Sequence, residues 1–234
     1  MRKKCRKREI KRRAKNQKMR VFHGFEHLPR FEHPAVTVGS YDGVHRGHRA
    51  LIERLVAEAH AADGESIVMT FEPHPRITLG RAEGLLLLTS LDEKIALLAD
   101  LGVDNVIIIP FDRSFSALSG SEFVDQYLLK RIGTEILVAG YNHRFGHDGL
   151  ACDSPEITGR MRIVCVGPCS VDGVRVSSTA IRRLIESGQT AKAEQLLGHP
   201  LSNSLIDRMR SSIASAPTSM DSPDQPHHQH NLSK

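Results

Sequence analysis

Two histidines three positions apart, His45 and His48, with Gly47 between them, stand where a β-branched apolar stretch hands over to a helix in VTVGSYDGVHRGHRALIERLVAEAH, residues 36–60. Imidazoles at that spacing share a helix face and could bind a metal. A structural zinc site, however, wants two further ligands, and none stands nearby in sequence. The position itself offers another chemistry. The first turn of a helix exposes unpaired N–H groups and a partial positive charge, so it attracts phosphate. Imidazoles there add donors that can follow charge as it builds on phosphoryl oxygens, and protonation near neutral pH would strengthen them. Gly47 removes a side chain and lets a triphosphate approach the backbone, and Gly39 and Gly43 do the same in the turn. Phosphate chemistry is the reading that this H-x-G-H, set between strand and helix, favours.

Such a turn needs a sheet behind it. Strand signals at 35–39, 66–73, 103–111, 134–140 and 161–168 alternate with helix signals at 48–64, 90–102, 119–133, 177–188 and 190–198. Ser90 followed three residues on by Glu93 is a capping box, and Gly64 and Gly102 close helices. Continuous apolar strands alternating with helices predict an α/β fold, a parallel sheet with helices on both faces. Ligands of such sheets bind outside the carboxyl ends of the strands. Polar clusters follow each strand in turn: GSYDGVHRGH, EPHPR, PFDRSF, GYNHRFG and VSSTAIR. Some of their members have plainer readings. His74 between two prolines shapes a turn, Asp112 and Arg113 cap a loop, and Arg144 makes a surface ion pair.

Composition bounds the rest. The 234 residues are 40% hydrophobic, and the longest apolar runs, LLLL at 85–88 and VIII at 106–109, are far too short to span a bilayer. Four cysteines, Cys5, Cys152, Cys165 and Cys169, read as reduced thiols of a cytoplasmic protein. The net charge of +5 divides unevenly. Residues 1–18 hold eleven Lys/Arg and one Glu, +10, which leaves 5 − 10 = −5 for the remainder. The first 18 residues therefore read as a basic disordered arm that can hold nucleic acid non-specifically, with Met19 a candidate start. Residues 19–200 read as one domain. Residues 201–234, rich in Ser, Pro, His and Asp, read as a disordered tail.

Taken in order and spacing, GSYDGVHRGH, TFEPHPR, LLTSLDEKIALLADLGVD, GYNHRFG and VSSTAIRRLIESG resemble the N-terminal adenylyltransferase module of the bacterial FAD synthetases, bifunctional riboflavin kinase/FMN adenylyltransferases, over about residues 19–200. The resemblance implies a Rossmann-like nucleotidyltransferase fold and transfer of an adenylyl group from ATP to FMN, giving FAD and pyrophosphate, with Mg2+ bridging the phosphates. It implies that Gly39, Asp42, Gly47, His45 and His48 form the ATP turn, that Asn142 holds the phosphates of both substrates, and that Arg175, Ser178, Thr179 and Arg182 form a second phosphate block. Glu72, His74, Asn142 and Arg144 fall on the FMN side, and no protein metal site is implied. The sequence departs from the family's pattern at Ser40-Tyr41 and at His143, where Phe is usual. It also lacks a recognisable kinase block, so riboflavin kinase activity is expected to be absent. Two other readings stay open: an adenylyltransferase for another acceptor, such as pantetheine phosphate or nicotinate mononucleotide, and a non-catalytic remnant or basic-armed nucleic-acid binder.

The charge division yields a first expectation. A protein beginning at Met19 should melt within a degree or two of the full chain and shed any nucleic acid retained at low salt. A markedly lower melting temperature would place the basic segment against the domain.

Overall fold

The computed structural model describes residues 18–214. The expected basic arm, Lys18 apart, and the end of the expected tail lie outside the described residues. Six parallel strands form the main sheet in the order β1-β4-β3-β2-β5-β8: β1 (Arg20–His23), β2 (Ala35–Val38), β3 (Ser66–Glu72), β4 (Asn105–Pro110), β5 (Ile136–Gly140) and β8 (Arg162–Val166). Two small antiparallel ribbons join β6 (Arg144–Phe145) to β7 (Leu150–Ala151) and β9 (Ser170–Val171) to β10 (Val174–Arg175). The helices are α1 (Arg46–Ala61), α2 (Pro75–Thr78), α3 (Leu91–Asp100), α4 (Arg113–Ser116), α5 (Gly120–Phe123), α6 (Pro155–Thr158), α7 (Ser178–Glu186), α8 (Thr190–Leu197) and α9 (Asn203–Ala214). Helix α5 runs on with π-type turns over Val124–Ile132.

Alternate residues of each central strand enter opposite layers, as a two-sided parallel sheet requires. Val36, Ile67, Met69 and Ile107 pack with Phe123, Val124, Leu128 and Ile132 on one face. Ala35, Val68, Val106 and Val138 pack with Ile52 and Leu55 of α1 and Leu98 of α3 on the other. The sheet grows from β2 through β3 and β4 on one side, then through β5 and β8 on the other. That reversal leaves a crevice at the carboxyl ends of β2 and its neighbours, the usual ligand position in such sheets. A third apolar cluster, including Leu88, Ile181, Ile185, Leu196 and Leu205, packs α7, α8 and α9 against the loop that precedes α3.

The five expected strands and five expected helices are all present, with ends shifted by a few residues. The Ser90–Glu93 capping box forms in both directions, at 3.2 and 2.7 Å. Besides the two short ribbons and the one-turn helices α2, α4 and α6, two further elements were not expected. The edge strand β1 has only four residues, half-buried in alternation, and gives no apolar run; it is fixed by pairing with β4 and by Arg20 Nε donating to Asn105 Oδ1 at 2.8 Å. The stretch read as a disordered tail opens with α9. Leu201, Leu205 and Met209 recur every four residues, and Leu205, 1% exposed, is buried in the third cluster. A short amphipathic stripe in a Ser-rich context carries too little hydrophobicity to be seen by composition.

Leu205→Ala should therefore lower the free energy of unfolding by about 2 kcal/mol or more, read by denaturant titration. An unchanged midpoint would mean that α9 does not belong to the folded domain.

Candidate active site

The turn after β2 is tightly braced. Thr37 Oγ1 donates to the Val138 carbonyl at 2.6 Å and lies 2.8 Å from the Tyr41 hydroxyl. Tyr41 is buried, and burial raises its phenol pKa above the ordinary value. Three residues of the turn are left-handed: Tyr41 at φ 48°, Gly43 at 84° and Val44 at 36°. For Tyr41 and Val44 this is strain, and it persists because the surroundings over-determine the turn. The glycines do something other than expected. A Cβ on Gly39 would lie 2.9 Å from Cζ of the Tyr41 ring, and one on Gly43 would lie 2.9 Å from Leu88 Cδ1. Their missing side chains admit Tyr41 and Leu88 rather than a triphosphate.

His45 is the N-cap of α1, its Nδ1 accepting from the His48 N–H at 3.2 Å. In the neutral ring the proton must then sit on Nε2, where it can be donated. The His45 and His48 rings stack at 3.6 Å and 13°, and the Tyr41 ring meets His48 edge-on at 5.2 Å. A Cβ on Gly47 would come within 3.3 Å of His45 Cε1, so this glycine makes room for the folded-back imidazole. Among the described residues, His48 Nδ1 is buried without a hydrogen-bond partner. Burial pushes the His45 pKa down to about 4, with the charges of Arg182 and His199 adding to the shift. Burial, then the neighbouring His45 and Lys94, pushes His48 well below its ordinary value. Both imidazoles are neutral at pH 7. This corrects the expectation that protonation near neutrality strengthens them.

Asp42 and Arg182 face each other rather than a ligand. Asp42 Oδ1 accepts from the amides of Leu88 and Thr89 at 2.9 and 3.2 Å, and Oδ2 pairs with the Arg182 guanidinium. Arg182 Nε donates to the Leu86 carbonyl at 2.6 Å. Ser178 Oγ donates to the Asp42 carbonyl at 2.9 Å. Asp42, Ser178 and Arg182 thus tie three segments together, and the expected pair of guanidiniums facing one pyrophosphate reduces to Arg175. Arg175 is exposed, its guanidinium 5.3 Å from the centre of the Tyr141 ring. Thr179, at the start of α7, is exposed.

One hollow adjoins the turn, and a second opens past the ends of β3 and β4. A cleft of about 280 Å3 is lined by Asp42, Glu72, His74, Thr89, Ser90 and Lys94. His74 caps α2, accepting from the Arg76 N–H at 3.2 Å, and burial lowers its pKa. A larger cavity of about 440 Å3 is walled by Phe71, Phe111, Phe115, Phe123 and Phe145, with His143 and Arg144 at its side. Burial pushes the His143 pKa down to about 4, and its ring meets Phe145 at 4.5 Å. Arg144 makes no ion pair among the described residues; its Nη1 donates to the Gly149 carbonyl at 3.0 Å. Asn142 is exposed in the turn after β5. Asp112 caps α4 through the Phe115 N–H at 2.7 Å, its plainer reading. Among the described residues no group of three or more His, Cys, Asp or Glu is placed to hold a metal ion. Sequence reasoning missed the aromatic cavity, because its phenylalanines come from four separate segments. It also missed Lys94, which reads as an ordinary charged helix residue.

Comparison with known proteins places these features. Residues 28–180 match the family model described as FAD synthetase. The chain is 37% identical over 186 residues to the bifunctional riboflavin kinase/FMN adenylyltransferase of Escherichia coli K12, covering 78% of this chain and 59% of that protein. A relative from Geobacillus thermodenitrificans, named for the same two activities, is 33% identical over 169 residues and is matched over 91% of its length. The chain thus spans about three fifths of the E. coli relative and nearly all of the Geobacillus one. Among solved structures, one titled a macrolide-efflux protein from Streptococcus pneumoniae superposes with a TM-score of 0.70 at 27% identity, over 78% of this chain and 72% of that one. No described helix is long and apolar enough to cross a membrane.

The depressed histidine has a measurable signature. His45 should keep the NMR signal of a neutral imidazole as pH falls through 6.5 and titrate only near about 4. The unfolded chain takes up that proton first, so the stability contributed by the neutral ring is complete above about pH 6.5 and is lost as pH falls towards 4. A midpoint near 6.5 in the folded protein would show that the ring is open to water.

Proposed function

We propose, for a chain that belongs to the FAD synthetase family, the transfer of the adenylyl group of ATP to FMN, giving FAD and pyrophosphate. The observation that carries this reading is adjacency. The cleft next to the helix start with its two stacked imidazoles is lined by Glu72, and Phe71, which immediately precedes it, walls an aromatic cavity of about 440 Å3. A flat, three-ring flavin suits aromatic walls better than a pantetheine chain or a nicotinate mononucleotide does.

In the proposed reaction an oxygen of the FMN phosphate attacks the α-phosphorus of ATP. A new P–O–P bond forms, the bond to the bridging oxygen of the β-phosphate breaks, and the electron pair leaves on pyrophosphate. No covalent enzyme intermediate is needed, so the protein positions the reactants and stabilises charge. The neutral His45 donates from Nε2 towards the phosphates at the start of α1, with His48 stacked beside it. Asn142 holds phosphoryl oxygens where the two substrates meet, and Arg175 and Thr179 receive the pyrophosphate end. Glu72 and His74 border the phosphate side of FMN, and Arg144 borders the ring. Mg2+ would enter with ATP and neutralise part of its charge. ATP and FMN as substrates place the protein in the cytoplasm.

His48→Ala is expected to reduce FAD formation from MgATP and FMN by about a hundredfold, with little change in melting temperature. Near wild-type turnover would remove the phosphate role of this histidine. FAD absent from the wild-type reaction, with turnover on pantetheine phosphate or nicotinate mononucleotide instead, would change the acceptor; no turnover on any of them would leave the non-catalytic reading.

A further inference from the structure

Lys94 has no role in the reaction as described so far. It lies in the first half of α3 and is only 5% exposed, a rare condition for lysine. Its Nζ donates to Thr70 Oγ1 at 3.3 Å, and Thr70 Oγ1 donates in turn to the Ser40 carbonyl at 3.2 Å. Thr70 is the one acceptor that the ammonium meets among the described residues, so two of its three N–H bonds are unspent. It forms no ion pair there either. Asp42, the buried carboxylate nearby, is already occupied by Arg182 and by two backbone amides.

A buried ammonium with unspent donors is costly unless something arrives to use them. Lys94 lines the cleft together with Glu72 and His74, and Thr70 links it to the turn that carries the histidines. It stands, therefore, in the cleft whose Glu72 directly follows Phe71 of the aromatic cavity, and it is tied to the histidine turn through Thr70. The charge balance points the same way. Both imidazoles are neutral, and Arg182 is spent on Asp42, which leaves the meeting point of two phosphorylated substrates short of fixed positive charge.

We propose that Lys94 supplies that charge: its Nζ contacts a non-bridging phosphoryl oxygen where ATP and its phosphorylated acceptor meet, which makes it a catalytic residue of the reaction proposed above, on which reading the inference rests. Burial pulls the Lys94 pKa down while Asp42 and Glu72 act to raise it. An incoming phosphate would act in the same direction as those carboxylates.

The test uses the full chain, with MgATP binding followed by calorimetry, FAD formation followed by chromatography, and melting followed in parallel. Lys94→Met keeps the side-chain volume and removes the charge. It should melt no lower than wild type, bind MgATP about tenfold or more weakly, and form FAD about a hundredfold more slowly. Lys94→Arg should recover part of the MgATP affinity, and Lys94→Gln should behave like Lys94→Met. Wild-type affinity and turnover in Lys94→Met would overturn the inference. So would losses that simply follow a lowered melting temperature in both uncharged variants, since that pattern belongs to a packing role. If the wild type binds MgATP but makes no FAD, the acceptor is wrong while the affinities still decide on Lys94. If the wild type does not bind MgATP, both proposals fall.

Discussion

The Asp42 carboxylate holds the site together. It is buried, and it joins three stretches of chain that are distant in sequence: the turn after β2, the amides of Leu88 and Thr89 before α3, and Arg182 in α7. Ser178 reaches the Asp42 carbonyl from the first turn of α7 and closes the same knot. Removing either partner of such a buried pair leaves an uncompensated charge, at a cost of about 3–5 kcal/mol. The apolar cluster formed by Leu88, Ile181, Ile185, Leu196 and Leu205 is organised around the pair. His199, just past α8, adds a further tie, its Nε2 lying 2.9 Å from the Gly43 carbonyl. The sheet alone would present only a loop at the end of β2. The ion pair makes that loop one wall of a cleft whose other walls include Glu72, His74, Thr89 and Lys94.

The division of labour among polar groups follows from that knot. Residue types that suggest phosphate binding in the sequence split into two sets in space. Asp42, Arg182 and Ser178 spend their hydrogen-bonding capacity on one another and on backbone. Arg175, Thr179 and Asn142 stand exposed, and in the reaction proposed above they and His45 Nε2 meet the phosphates. The glycines divide in the same way, because Gly39, Gly43 and Gly47 make room for Tyr41, Leu88 and the His45 ring. A motif that seems to describe a ligand surface is thus half a description of how that surface is held.

The fold was legible because each central strand is a continuous apolar run and each long helix carries a stripe and a cap. Ser90 and Glu93 declare the start of α3 in the sequence and form both of their hydrogen bonds in the structure. Periodicity was silent where elements are short. The strand β1 gains its identity only from pairing with β4, and α9 from Leu205 entering a core assembled by other helices. The H-x-G-H turn was legible from its place between strand and helix, and its protonation was not. Sequence gives an imidazole its ordinary pKa, whereas the stacked ring 3.6 Å away and the surrounding burial decide the real one. The direction of Arg182 was hidden for a similar reason, since nothing near it in sequence reveals that a buried carboxylate 140 positions earlier is its partner.

Neutral imidazoles suit the reaction proposed for this site. An ionised phosphate needs no base to become a nucleophile, and pyrophosphate needs no acid to depart. What the transition state requires is fixed donors and fixed positive charge that do not reorganise as the α-phosphorus changes hands. Two rings stacked face to face cannot both be protonated without strong repulsion, so the stacking itself selects hydrogen-bond donors over proton carriers. The left-handed Tyr41 and Val44 are the local cost of aiming those rings at the helix start, and Thr37, Gly39 and the Asp42 knot keep them there. The lowered pKa values of the two rings leave neutral donors at the positive end of α1, where charge builds in the proposed reaction.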